Sequence, residues 1–183
     1  MKHKILIVVD AQNDFIDGSL ANPVAQKRVG NIAKKISEFK GDFIYVTRDT
    51  HEENYLKTKE GEKLPVVHCV KGTEGWLLNK EVSEALIHHD VGETQTVMYL
   101  NKPTFGSTEL AKSIKKLDGE LDIEIVGFCT DICVVSNALL IKAAVYDRAT
   151  ITVDASCCAG VTPESHNAAL LTMKMCQINV VNE

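Results

Sequence analysis

No stretch of Lys or Arg longer than a dipeptide occurs in this chain of 183 residues, whose 20 basic and 25 acidic side chains leave a net charge of -5. Nucleic acid and anionic membrane both demand a clustered basic footprint, so neither is expected as a partner. Long apolar runs are missing as well. The run Ile5 to Val9 is too short for a secretory core of about 7–15 residues or a membrane span of about 20, and a cytoplasmic location is expected. The six cysteines, at positions 69, 129, 133, 157, 158 and 176, include no Cys-x-x-Cys pair and no disulfide-scaffold spacing. That excludes a zinc ribbon and a thioredoxin-type dithiol and predicts free thiols. Aromatics are scarce at 5%, prolines number four, and no repeat or low-complexity segment interrupts a composition that is 45% hydrophobic. One globular domain over residues 1–183 accounts for this, since a chain of such length buries about 70% of its unfolded surface around one core. The partner is then expected to be a small molecule.

What is present is a set of short, continuously apolar stretches: Ile5 to Val9, Phe43 to Thr47, Thr96 to Leu100, Ile123 to Gly127, Thr150 to Val153 and Ile178 to Val181. Such stretches read as strands buried on both faces of a parallel sheet. Helical patterns fall between them, at Val29 to Phe39, about Asn79 to His88, Ser107 to Leu117, Asp131 to Tyr146 and Pro163 to Met173. In the first, Ile32, Ile36 and Phe39 line one face. Strict alternation of the two patterns predicts a three-layer α/β domain with right-handed crossovers. The polar excursion from Asp49 to Gly75 shows neither period, and a loop this long in a compact domain is usually functional.

Ligands of open α/β sheets sit beyond the carboxyl ends of the strands. The residues there are Asp10, Asp49 with His51, Lys102, and the run Cys129-Thr130-Asp131-Ile132-Cys133. Cys133 falls in the first turn of a helix, with Thr130 and Asp131 as candidate N-caps. The helix dipole and a converging Lys102 predict a lowered thiol pKa and a nucleophile. Asp10, leaving a buried strand, is placed to exchange a proton with it. Each residue alone has a plainer explanation, as a packed cysteine, a turn-capping aspartate or a solvated lysine; their convergence at four strand ends argues for chemistry. Asp49, His51 and His68, with Glu60 or Glu62, offer a carboxylate and imidazole set suited to zinc, iron or manganese.

These residues resemble a known set. Val8-Val9-Asp10-Ala11-Gln12-Asn13-Asp14-Phe15, Gly18-Ser19-Leu20-Ala21, Asp49-x-His51, His68-Cys69-Val70-Lys71-Gly72-Thr73-Glu74-Gly75, Lys102 and Gly127-Phe128-Cys129-Thr130-Asp131-Ile132-Cys133-Val134 are similar, in order and spacing, to the nicotinamidase branch of the isochorismatase-like cysteine hydrolases. The resemblance implies a Rossmann-like domain with a six-stranded parallel sheet and a catalytic triad of Asp10, Lys102 and Cys133. It implies Asp49, His51 and His68 as ligands of a divalent metal, zinc first and iron or manganese as alternatives, that orients the substrate. It further implies a cis peptide between Phe128 and Cys129, an oxyanion hole from the N–H groups of Cys129 and Cys133, and substrate contacts from Phe15 and Phe128. The implied reaction is hydrolysis of nicotinamide to nicotinate and ammonia through a Cys133 thioester.

Three positions depart from the family pattern. Pro65 stands where an aromatic residue usually completes a clamp with Phe15, Ile132 replaces a common Tyr, and Trp76 follows His68 instead of preceding it. Two further readings therefore stand beside the first: a metal-independent cysteine hydrolase of another small amide or carbamoyl compound, and a non-catalytic small-molecule binding protein on the same fold. Small α/β domains with exposed apolar helices often pair, so a homo-oligomer is also an expectation. Cys157 and Cys158, near the active edge after the fifth strand, are expected as small buried residues of a tight turn.

Overall fold

Alternate residues of the first strand, β1 (Lys2–Val9), belong to two different cores in the computed structural model, which describes residues 1–90 and 96–183. Ile5, Ile7 and Val9 pack into one cluster, Leu6 and Val8 into the other, and all five are buried. A strand apolar on both faces needs helices on both sides and strands on both edges. The sheet supplies them: β2 (Phe43–Asp49), β3 (Thr96–Lys102), β4 (Glu120–Phe128), β5 (Ala149–Ala159) and β6 (Asn179–Val181) pair in the order β3-β2-β1-β4-β5-β6, every pairing parallel.

A one-turn helix α1 (Asn13–Ile16) follows β1. The long α2 (Pro23–Glu38) and α4 (Lys80–Asp90) cover the Leu6 and Val8 face through Val29, Ile32, Ile36, Val82 and Leu86. On the opposite face lie α5 (Thr108–Lys115), α6 (Val135–Val145) and α7 (Pro163–Met175), contributing Leu110, Ile114, Ile141 and Met173 among others. The connection direction reverses between β1 and β4, which creates a crevice at their carboxyl ends.

The structure differs from the sequence-based expectation at particular places. Helix α2 starts at Pro23 instead of Val29, because the Asn22 side chain accepts from the N–H groups of Val24 and Ala25 and Pro23 fills the first turn. The excursion after β2 contains a 3-10 turn, Tyr55–Lys57, and a short helix α3 (Lys59–Lys63), both too brief to show a period. The helix expected from Asp131 begins as a π-turn, Thr130–Val134, before α6 takes over. Strand β5 is longer than expected and includes Cys157 and Cys158: Ile125 faces Val153 but Gly127 faces Cys158, so β5 bulges between them. Lys35 of α2 pins that bulge, its Nζ lying 2.6 Å from both Glu124 and Asp154.

Gly127 closes the crevice at the sheet centre with φ of +123°, and a Cβ added there falls 2.0 Å from the Val9 carbonyl oxygen. Gly127→Ala is expected to destabilise the protein by more than about 1 kcal/mol. A lower urea midpoint at constant slope is the readout, and an unchanged midpoint would show that β1 and β4 separate freely there.

Candidate active site

Strand β1 is followed directly by Asp10, whose φ of 46° lies in the left-handed region that Asp tolerates better than most side chains. Its N–H donates to the Thr47 carbonyl at 3.2 Å, and its Oδ1 accepts the Thr47 hydroxyl at 2.7 Å. Its other oxygen lies 2.6 Å from Nζ of Lys102, the last residue of β3. The same ammonium is 3.3 Å from Oδ1 of Asp49, at the end of β2, and 3.4 Å from Sγ of Cys133. All four residues are buried. Burial works against the Lys102 ammonium, but Asp10, Cys133 and Asp49 around it hold its pKa above that of an ordinary lysine. For Asp10, burial raises the carboxyl pKa and the Asp49 charge adds to it, and Lys102 and Thr47 only partly reverse the shift.

Cys133 sits on the π-turn that follows the Phe128–Cys129 peptide, which is cis. The Cys129 carbonyl accepts from the N–H groups of Ile132 and Val134, at 3.2 and 3.0 Å, and no side chain caps this helix start. Thr130 and Asp131, expected as caps, do other work. The Thr130 hydroxyl bonds Nδ1 of His166 at 2.8 Å, and the Asp131 carboxylate accepts from the Val161 N–H, at 2.9 Å to Oδ2, and from the Ser165 hydroxyl. They tie the cysteine turn to the start of α7.

The expected drop in the thiol pKa is also corrected. Burial pushes the Cys133 thiol well above its ordinary value, the Asp10 charge adds to the shift, and Lys102 opposes it without cancelling it. A helix dipole acting on an exposed thiol is a poor guide where two carboxylates share the same dry pocket with a single ammonium.

Next to this group, Asp49, His51, Glu60 and His68 bring one ligand atom each to within 4.8 Å of one another. His51 Nε2 lies 3.0 Å from Asp49 Oδ2 and 3.6 Å from Glu60 Oε1; His68 Nε2 lies 3.4 and 3.9 Å from the same two atoms. The His68 Nδ1 donates to the Val66 carbonyl at 2.8 Å, which holds the ring with its Nε2 turned into the cluster. Backbone pairing aligns the two imidazoles, since the His51 N–H donates to the Cys69 carbonyl and the Lys71 N–H to the His51 carbonyl, each at 2.9 Å. Asp14 holds the Cys69 N–H at 2.7 Å. Although burial would raise it, hydrogen bonds from both histidines and the Lys102 charge keep the Asp49 carboxyl far below the usual range, hence ionised. Of the two candidate glutamates, Glu60 is the one in the cluster; Glu62 faces solvent and pairs with Lys59 at 3.1 Å. One ionised carboxylate, two imidazoles and a second carboxylate match the donor set taken by first-row divalent cations.

A cavity of about 780 Å³ opens onto Cys133 and Cys129 on one side and onto Asp49, Glu60 and His68 on another. Phe15, Leu64, Phe105 and Ile132 give it apolar walls, with Phe15 edge-on to His68 at a centroid separation of 5.8 Å. Phe128 is not part of it: its side chain is fully buried in the core beneath, so the expected substrate contact is withdrawn. Trp76 is elsewhere too, bonding the Thr50 hydroxyl and carrying the Arg48 guanidinium on its ring. The sequence reading missed Thr47, Phe105 and Leu64. Thr47 ends the apolar run of β2 and carries no local mark that sets it apart from any β-branched strand residue, and the two apolar residues lie on connections without a period.

In metal-free protein at neutral pH, iodoacetamide is expected to alkylate Cys133 more slowly than the exposed Cys176. Asp10→Asn removes a charge that raises the thiol pKa and leaves Lys102 free to lower it, so it is expected to speed alkylation of Cys133. Peptide mass spectrometry over a time course reads both, and a slower or unchanged rate in Asp10→Asn would contradict the electrostatic account.

Comparison with known proteins covers the whole chain. A curated nicotinamidase of Saccharomyces cerevisiae is 26% identical over 218 residues, covering 98% of this chain and all of that protein. Among solved structures, the pyrazinamidase of Pyrococcus horikoshii in complex with zinc superposes with a TM-score of 0.78 at 28% identity, covering 99% of each chain. The nicotinamidase/pyrazinamidase of Bacillus subtilis does so with a TM-score of 0.74 at 26% identity over the full length of both. The isochorismatase domain profile matches residues 4–182, and the chain belongs to that family.

Proposed function

We propose that the protein is an amidohydrolase that converts nicotinamide to nicotinate and ammonia. One observation carries the reading: the Lys102 ammonium stands 2.6 Å from Asp10, 3.4 Å from the Cys133 sulfur and 3.3 Å from Asp49, joining a proton-transfer pair to a metal-type cluster on one cavity. The nicotinamidase and pyrazinamidase relatives, which span the whole chain, support the same substrate class. An isochorismatase, which needs no thiol, leaves Cys133 without a use, and a metal-independent hydrolase leaves the four-residue cluster without one.

Chemically, burial has raised both Asp10 and Cys133, and the raised Asp10 carboxylate is a stronger base toward the neighbouring thiol than an ordinary aspartate. Asp10 takes the thiol proton as the sulfur attacks the carboxamide carbon, and the N–H groups of Cys129 and Cys133 receive the oxyanion. Collapse of the tetrahedral adduct breaks the C–N bond, with Asp10 returning the proton to the departing amine, which leaves as ammonia. Asp10 then takes a proton from water as that water attacks the thioester, and the thiolate leaves and regains its proton. Throughout, Lys102 keeps its charge and offsets the negative charge that passes between oxygen and sulfur.

Asp49, His51, Glu60 and His68 would hold a divalent cation, which we assign as zinc, with iron and manganese suited to the same donors. Bound there, the ion supplies a Lewis-acid contact for the pyridine nitrogen and so orients the ring. Phe15, Leu64 and Phe105 pack the ring faces and exclude water.

Cys133→Ala is expected to reduce ammonia release from nicotinamide to background without moving the melting temperature; residual turnover near that of the unaltered protein would sink the thioester. Acting as the base, Asp10 must be ionised, and its pKa is raised by burial and Asp49. The acid limb of kcat/KM is therefore expected above the ordinary aspartate value of about 4, activity being lost as pH falls through it. Chelation should remove activity on nicotinamide and added zinc restore it, whereas full turnover in chelator would leave the metal without a part.

A further inference from the structure

Where β1 turns away at Asp10, β2 runs on for two residues beyond its last backbone pairing, Val9 with Thr47. On its other edge Asp49 still pairs with Lys102 of β3. Toward β1 its peptide groups face no strand. The side chain of Gln12 takes that place. Its Oε1 accepts the Asp49 N–H at 2.7 Å, and its Nε2 donates to the Asp49 carbonyl at 2.9 Å. A primary amide here makes both bonds that a strand peptide would make. The second Nε2 hydrogen goes to the Trp76 carbonyl at 2.9 Å, on the segment that follows His68. Gln12 is fully buried, and its amide orientation is set by its partners: one donor and two carbonyl acceptors admit only this assignment.

Asp49 is the residue whose placement matters most to the site, because its carboxylate meets His51, His68 and Lys102 together. Its side chain has a short lever, so the peptide on either side of its Cα decides where the two oxygens fall. We propose that Gln12 is a positioning residue that holds the Asp49 backbone in register beyond the end of β1 and thereby sets the affinity of the four-residue cluster for a divalent cation. The proposal rests on the metal reading above. Outer partners of metal ligands commonly contribute about 10–100-fold in affinity when they fix a ligand's orientation.

The test is zinc binding to the metal-free protein, measured by competition with a chromophoric chelator, with circular dichroism and melting recorded on every variant. Gln12→Met keeps the volume and loses all three bonds. Gln12→Glu keeps an acceptor for the Asp49 N–H, loses both donors and adds a negative charge, which by simple attraction would tighten cation binding. Asn13→Ala is the control, since Asn13 ties the same turn to the Glu74 carbonyl without touching Asp49. Folded Gln12→Met and Gln12→Glu proteins that bind zinc about 10–100-fold more weakly, beside an Asn13→Ala protein that binds as the unaltered one does, bear the proposal out. Zinc affinity unchanged in Gln12→Met, tighter in Gln12→Glu, or equally weakened in Asn13→Ala overturns it. So does a failure of both Gln12 variants to fold, which would make Gln12 a residue of the core. If the unaltered protein binds no zinc, the metal reading falls and this proposal with it; if it binds and the Gln12 variants match it, only this proposal falls.

Discussion

A single buried ammonium organises the carboxyl edge of this sheet. Lys102 is almost wholly inaccessible, and moving such a charge out of water costs several kcal/mol unless partners surround it. Asp10 and Asp49 are those partners, at 2.6 and 3.3 Å, and neither could be mislaid without stranding the cation. They come from three adjacent strands, so the register that puts Val9 beside Thr47 and Asp49 beside Lys102 is also the condition for electrical balance. Fold and site are the same constraint seen at two scales.

The balance is incomplete, which is informative. Asp10, Asp49 and Glu60 face one lysine, and burial with the surplus of negative charge raises Asp10, Glu60 and the Cys133 thiol together. A site in which every acidic group but Asp49 is pushed toward its protonated form is short of positive charge. A divalent cation among Asp49, His51, Glu60 and His68 fits that deficit as well as it fits the donor atoms. The thiol that results is not a standing thiolate; it is a neutral group beside a carboxylate, which suits the proposed nucleophile if it is formed only as it attacks.

Much of this was legible before any fold was known, for a physical reason. A strand in a parallel sheet writes itself as a short apolar run, so the polar residues just beyond its carboxyl end are conspicuous: Asp10 directly after Val9, Asp49 and Lys102 two residues beyond Thr47 and Leu100. Local patterns failed where the deciding partner was distant in sequence. Thr47 could not be told from any β-branched strand residue until Asp10 lay 2.7 Å from its hydroxyl. Glu60 and Glu62 were equivalent by spacing, and α3 separates them by turning one inward and the other to solvent. Phe128 was expected at the substrate from the family resemblance, yet strand alternation sends its side chain into the core. The thiol pKa went the wrong way because the helix start is a local feature and the charge balance of the pocket is not.

The replacement of the usual clamp residue by Pro65 also takes a different meaning in three dimensions. Apolar surface facing the ring is what a clamp contributes, and its source in the chain is secondary. Here Leu64 and Phe105 line the cavity with Phe15 and Ile132, Phe105 arriving on the connection between β3 and α5. The cavity's polar lining comprises the metal-type cluster, the Cys133 turn and a rim that includes Asn22, Arg28, Thr162, His166 and Asn167. A flat ring with one basic nitrogen and a carboxamide is apolar on both faces and polar at two separated points of its edge; the proposed substrate would turn one point to the metal-type cluster and the other to the Cys133 turn. The departure at Pro65 therefore leaves the cavity with apolar walls supplied by other residues, as the proposed substrate requires.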